Sequence, residues 1–289
     1  MHRNYGRVET LSKRWLNRFQ LKLDSLSIRR LARLSGRCQP IGSIAALSLA
    51  TDFRLWLAIH DRTLVSSPPA AMGDTHRRLL EQLQNRGRRV TARDNLSAAL
   101  LDLLTRGESL AGEAWSQRFV AALGQYFRGC QWQAEQLSAG ESPSITAYLV
   151  ARRDWGSTWT HLCCGELAVG APNLSLDMAE RPDAAQQLAT LTGQIITGLH
   201  DLYSLPRRSQ QPGPNLVRLF RLQHGLSWAD AARHCALWVN QQVAEFIATE
   251  NQLDNLPPGL RGDLRRLSYL YRCWMRGTWE WHKHGLPPL

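Results

Sequence analysis

Helical periodicity constrains this chain more than any other feature. Segments such as "LSIRRLARL", "THRRLLEQLQNR", "NLSAALLDLLTR", "AQQLATLTGQIITGLHDLYSL" and "SWADAARHCALWVNQQVAEFIATENQL" place apolar residues at i, i+3, i+4 and i+7. That spacing gives a helix one apolar face to bury. Alternating, strand-like runs are essentially absent. Start signals agree with the periodicity. Asn95 precedes "LSAALL", Ser227 precedes "WADAARH" with Asp230 three residues on, and Pro143 opens "PSITAYLVARR". Breaks fall at "VSSPPAAMGD", "SAGESP", "GAPNLSLDMAERPD", "RSQQPGP" and "DNLPPGL", none long enough to demand an interdomain linker. The pattern predicts one all-α domain over residues 1–289, with roughly ten helices.

Composition narrows the functional classes. The chain has 289 residues, 44% of them hydrophobic, enough to bury a sizeable core. It lacks the continuous apolar run of roughly 18 residues that a membrane span needs. "MHRNYGRVETLSKRW" has no apolar signal core, so a cytoplasmic location is expected. The six cysteines form no CxxC pair, which reads as reduced, mostly buried thiols. A formal charge of +11, carried mainly by Arg, favours anionic partners. "LFRLQHGLSWADAARHCALWV" has the outline of a helix-turn-helix. Its second helix is far too long for a recognition helix, and the face that would read bases carries Trp228, Ala232 and Cys235. Nucleic acid is therefore not an expected partner; a homodimer is left open.

Eight fragments, in order, carry a stronger signal. They are "RWLNRFQL", "LSLATDFRLWLAIHD", "AALLDLLTR", "WSQRFVAALGQYFRGCQWQ", "PSITAYLVARRDWG", "HDLYSLPRR", "NLVRLFRLQHGLSWADA" and "WMRGTWEWH". In this order and spacing the chain resembles the bacterial class I terpene synthases over nearly its full length. The resemblance implies an all-α bundle around a central apolar cavity. In that family, Mg²⁺ ions and basic residues hold a prenyl diphosphate at the cavity mouth, and loss of diphosphate starts carbocation cyclisation.

The resemblance also shows where this chain departs from the family. The acidic DDxxD motif reads His60, Asp61, Arg62, Thr63, Leu64, so the leading carboxylate has become an imidazole. The N-D-x-x-S-x-x-x-E motif reads His200, Asp201, Ser204 and Arg208, and Pro206 is expected to kink or end that helix. The family's terminal Arg-Tyr pair has no counterpart in "WEWHKHGLPPL". Arg152 aligns with the diphosphate-sensing Arg, with Arg153 as its neighbouring alternative, and Arg207 holds the family's basic position.

By this resemblance Arg152, Arg153, Arg207 and Arg208 are candidates to bind diphosphate. His60, Asp61, His200, Asp201 and Ser204 are the remodelled metal surface, with His60, Asp61 and Asp201 also catalytic candidates. Trp56, Trp274 and Trp281 are candidate cavity walls able to stabilise a cation. Three readings of the histidines stay open. They hold a softer ion such as Mn²⁺, they help the arginines hold diphosphate without metal, or they are merely polar residues at helix ends. The cofactor is then either none or a divalent metal, Mg²⁺ or Mn²⁺, in an incomplete cluster. The expected function is an atypical terpene synthase acting on a prenyl diphosphate. The alternative is a catalytically silent isoprenoid- or diphosphate-binding protein on the same scaffold.

Overall fold

The structure is a computed structural model. It describes residues 1–64, 68–85, 94–140, 142–170, 183–208 and 213–283, with only the backbone described at 63, 64 and 206–208. These residues form eleven α-helices and no strand. In chain order they are α1 (Tyr5–Arg18), α2 (Ser25–Cys38), α3 (Ile44–Leu64), α4 (Pro69–Gln84), α5 (Asn95–Ala139) and α6 (Ile145–Trp155). Then come α7 (Thr158–Val169), α8 (Asp183–Arg208), α9 (Leu216–His224), α10 (Trp228–Gln252) and α11 (Pro258–Lys283).

Local chemistry starts these helices within one residue of the predicted signals, with Asp94 and not Asn95 as the cap of α5. Asp94 accepts the Ser97 amide at 2.7 Å at the head of α5. Ser144 caps α6 through the Ala147 amide, so the start lies one residue beyond Pro143. Ser227 accepts the Asp230 amide while its hydroxyl donates to the Asp230 carboxylate, a reciprocal cap on α10. Gly225, at φ +63°, ends α9 in a left-handed conformation that a side chain would resist. The two periodic segments within α5 meet at Gly112, where φ +79° and ψ 179° break the helical geometry.

Pro206 does not end α8, which runs on to Arg208. A proline in the last turn forfeits one backbone bond without stopping the helix at once.

One apolar core draws side chains from α1 (Trp15), α3 (Phe53, Trp56), α5 (Trp115, Phe119), α8 (Ile195, Leu199) and α11 (Trp274, Trp281). A smaller cluster joins α6, α9 and α10 through Tyr148, Leu216, Phe220 and Cys235. α3 packs on α1, α2, α5 and α7, whereas α8 packs on α6, α9, α10 and α11. The two motif helices thus have separate neighbours, linked chiefly where α5 meets α6 and where α2 meets α11. All six cysteines are free thiols and five of them are buried. No helix among the described residues is long and apolar enough to cross a membrane.

Candidate functional site

The end of α3 carries a closed chain of hydrogen bonds. His60 is buried, with its Nδ1 2.9 Å from the Tyr126 hydroxyl and its Nε2 3.2 Å from Nε2 of His76. Tyr126 donates to the Asp61 carboxylate at 2.6 Å. Burial, reinforced by the Asp61 charge, holds the Tyr126 phenol well above its ordinary pKa, so it stays protonated and remains the donor. The proton order follows. His60 Nδ1–H donates to Tyr126, and the tautomers set which Nε2 of the His60–His76 pair is the donor. Burial lowers the His76 pKa to about 3, which keeps this ring neutral. His60 also stacks on Trp56 at 4.7 Å, and His76 stacks on Phe127 at 4.2 Å.

The motif on α8 is organised differently. Asp201 is buried and its Oδ2 accepts the Tyr148 hydroxyl at 2.5 Å and the Leu216 amide at 2.8 Å. Asn215 Nδ2 donates to the Asp201 carbonyl at 3.1 Å. Asp201 therefore ties α8 to α6 and to the first turn of α9. His200 Nδ1 lies 2.8 Å from His282 Nε2, and burial lowers the His282 pKa to about 4. Ser204 donates back to the Asp201 carbonyl at 3.4 Å.

Arg152 and Arg153 close α6. The Arg152 guanidinium lies over the Trp155 ring at 4.5 Å, and its Nε is buried without a hydrogen-bond partner. Arg153 sits over Trp159 at 5.1 Å with its Nε 3.6 Å from Asp154. Between α6 and α7 the chain turns at Gly156 and Ser157, the latter at φ +53°. A Cβ on Gly156 would stand 2.7 Å from the Arg152 carbonyl oxygen and 2.8 Å from its Nη1, so the missing side chain makes room for the turn to close on Arg152 and for its folded-back guanidinium. Gly129 on α5 makes room for the backbone at the end of α6, because a Cβ there would meet the Trp155 backbone nitrogen at 2.2 Å. The side chains of Arg207 and Arg208 lie outside the described residues, as does the chain from 284 onward.

The three tryptophans differ in their surroundings. Trp56 is fully buried and donates to the Leu96 carbonyl at 2.9 Å. Trp274 stacks on His161 at 5.5 Å. Trp281 lies edge-on to His200 at 6.5 Å, its indole nitrogen buried and unpaired.

A family profile described as terpene synthase family 2, C-terminal metal binding, matches residues 53–245. The chain belongs to this family. It is 28% identical over 296 residues to (+)-(1(10)E,4E,6S,7R)-germacradien-6-ol synthase of Streptomyces pratensis, covering 97% of this chain and 81% of that protein. It is 24% identical over 285 residues to germacrene A synthase of Nostoc punctiforme, covering 95% and 87%. Among solved structures, a linalool/nerolidol synthase from Streptomyces clavuligerus superposes with a TM-score of 0.86 at 18% identity, covering 98% and 96%. The fold is therefore the all-α class I terpene synthase fold.

Metal binding in this family makes magnesium the ion to test against the residues present. Magnesium requires several free, hard oxygen ligands. His60 offers imidazole nitrogens, both already engaged, and the Asp201 carboxylate is bound by two protein donors. Asp61 is exposed but accepts from Tyr126. Among the described residues no three His, Cys, Asp or Glu side chains gather to hold an ion. This donor set does not fit a multinuclear magnesium cluster.

Sequence reasoning missed Tyr126, His76, Tyr148, Asn215 and His282. Each lies 14 to 82 residues along the chain from its partner, and all but the cap residue Asn215 sit on helices whose periodicity explains their presence without a site. Asn215 alone had a local signal, as a cap before "LVRLF".

Proposed function

We propose that this chain binds a prenyl diphosphate through basic side chains near the ends of α6 and α8, and that it does not carry out magnesium-triggered loss of the diphosphate. The observation carrying this reading is His60. It stands at the position of the first metal-binding carboxylate, and both its ring nitrogens are engaged by Tyr126 and His76. The ligand class follows from the family and from the names of its members. One of these, from Metarhizium acridum, is named simply a sesquiterpene synthase and is 24% identical over 288 residues. A fifteen-carbon diphosphate is accordingly the first ligand to test.

Arg152 supports the holding step. Its guanidinium stacks on Trp155, and no carboxylate bonds to it among the described residues. A guanidinium so placed can grip phosphate oxygens in a fork. Arg207 and Arg208 add charge of the same sign from α8. Holding an anion differs from expelling it. A leaving diphosphate needs concentrated charge at its bridging oxygen, which a dication supplies and a delocalised guanidinium supplies poorly.

Calorimetric titration with farnesyl diphosphate in EDTA tests this reading. Binding should persist without metal and weaken by about ten-fold or more in Arg152→Ala. Binding that appears only with magnesium would contradict it.

A further inference from the structure

The net charge of this chain is concentrated in three helices. α1, α2 and α11 hold 14 of its 35 Lys and Arg but only 3 of its 24 Asp and Glu, a net +11. The rest of the chain holds the remaining 21 of each sign and is neutral. α2 packs on both α1 and α11, so the three helices form one continuous region. A field of one sign over such a region selects anionic partners.

α2, in the middle, carries four arginines and no acidic residue along its length. Leu26, Arg29 and Arg33 are exposed on it at i, i+3 and i+7, which places them on one strip. α1 runs antiparallel beside it, because Tyr5 lies against Gly36 while Glu9 stands 3.6 Å from Arg29. Arg7 and Arg14 are exposed two turns apart on α1. Arg7, Arg14 and Arg33 make no ion pair or hydrogen bond among the described residues, so their charge is unanswered. On α11 the exposed strip runs Tyr269, Arg272, Arg276 and Lys283. Arg272 is held by Glu250 in a fork, whereas Arg276 meets the carboxylate of Glu280 at 2.7 Å. An exposed pair of the second kind is weak and leaves its arginine able to exchange partners.

Between α2 and α11 the region is indented by a groove of about 300 Å³, lined by Arg37, Pro40, Arg272, Arg276 and Glu280. Arg37 stands with its Nε 3.9 Å from Glu280 and its Nη1 without a hydrogen-bond partner. A phosphate-bearing headgroup fits this volume and meets guanidinium groups on its walls. Apolar side chains are exposed among the cations. Leu26 on α2, Tyr269 on α11 and Met1 at the groove are 51%, 48% and 61% exposed. Trp279 stacks under both Arg276, at 4.7 Å, and Lys283, at 4.8 Å. Arginine, exposed aliphatic side chains and amphipathic rings together match the boundary between lipid headgroups and acyl chains.

We infer that the region formed by α1, α2 and α11 docks this protein on a bilayer surface rich in anionic phospholipid. The arginines meet headgroup phosphates, and Leu26 and Tyr269 enter the headgroup layer beside them. Duplex nucleic acid would answer the charge and leave Leu26, Tyr269 and Met1 in water. Docking is peripheral, since no helix among the described residues can cross a membrane. The inference uses none of the residues assigned to diphosphate binding on α6 and α8 and does not rest on that assignment.

Co-sedimentation of the full chain with vesicles tests it, comparing phosphatidylglycerol mixed with phosphatidylcholine against phosphatidylcholine alone. Binding to the anionic vesicles should be at least about ten-fold stronger and should weaken as salt is raised. Each basic residue near such a surface is worth about five-fold in partitioning. The double variant Arg14→Glu, Arg33→Glu should therefore lose about twenty-fold or more. Arg77→Glu, Arg78→Glu makes the same change in net charge at exposed residues of α4, which packs on α5, and should lose about three-fold at most. All four arginines are exposed, so both variants should melt with the parent. Leu26→Asn should weaken vesicle binding and leave binding to a DNA duplex of arbitrary sequence unchanged. Arg152→Ala should dock like the parent, which separates docking from the diphosphate reading. The inference is overturned if neutral and anionic vesicles bind equally, or if the two double variants lose equally. It is equally overturned if the DNA duplex binds more tightly than the anionic vesicles and is lost in Arg14→Glu, Arg33→Glu.

Discussion

The Asp201 carboxylate accepts the backbone N–H of Leu216 at 2.8 Å, fifteen residues further along the chain. The same oxygen accepts the Tyr148 hydroxyl at 2.5 Å, so one atom joins α6, α8 and α9. Asp201→Ala would leave two buried donors without partners, each costing about 1–3 kcal/mol. We expect a loss of roughly 2–5 kcal/mol in urea unfolding. Asp61→Asn, at an exposed carboxylate, should change stability by under about 1 kcal/mol. Equal losses in the two variants would contradict the scaffold role of Asp201.

The buried imidazole of His76 makes stability depend on pH. The folded-state pKa of His76 is lowered to about 3, whereas an unfolded histidine titrates near 6.5. Below pH 6.5 the unfolded chain takes up a proton that the folded chain refuses, so stability present above 6.5 is lost as the pH falls towards 3. The slope is at most about 1.4 kcal/mol per pH unit for each such group. His161 and His282 shift in the same direction. Urea midpoints at pH 7.5 and 5.5 should fall less in His76→Phe than in the parent. An unchanged pH dependence in that variant would contradict the assignment.

Gly156 sets the position of Arg152. Gly156→Ala pushes a methyl towards Nη1 and should displace the guanidinium from Trp155, weakening pyrophosphate binding by about ten-fold. Gly6→Ala is the control, since nothing lies within 4 Å of its added Cβ. It should leave binding unchanged and stability equal or up to about 1 kcal/mol higher. Equal pyrophosphate affinity in the two variants would separate Arg152 from anion binding.

Sequence periodicity made the helices legible, and the order of the motif fragments made the family legible. Caps at Asp94, Ser144 and Ser227 wrote most starts into local chemistry. The site was legible only as a set of positions. His60 and Asp201 were identifiable as departures or survivals in two motifs, but their roles depend on Tyr126, His76, Tyr148 and Leu216. Those partners lie between 15 and 66 residues away, and no periodicity encodes such a pairing. Arg54 shows the opposite case. Within "TDFRLWLAIHD" it reads as an ordinary polar residue of an amphipathic helix, and only the folded structure shows its Nε buried without a hydrogen-bond partner.

The most direct test of the central claim is incubation of purified protein with farnesyl diphosphate and millimolar magnesium, followed by gas chromatography of the extract and assay of released pyrophosphate. The account predicts that the diphosphate is bound and recovered intact, with neither hydrocarbon nor terpene alcohol above the no-protein control. A magnesium-dependent terpene product, formed catalytically and abolished by EDTA, would contradict it.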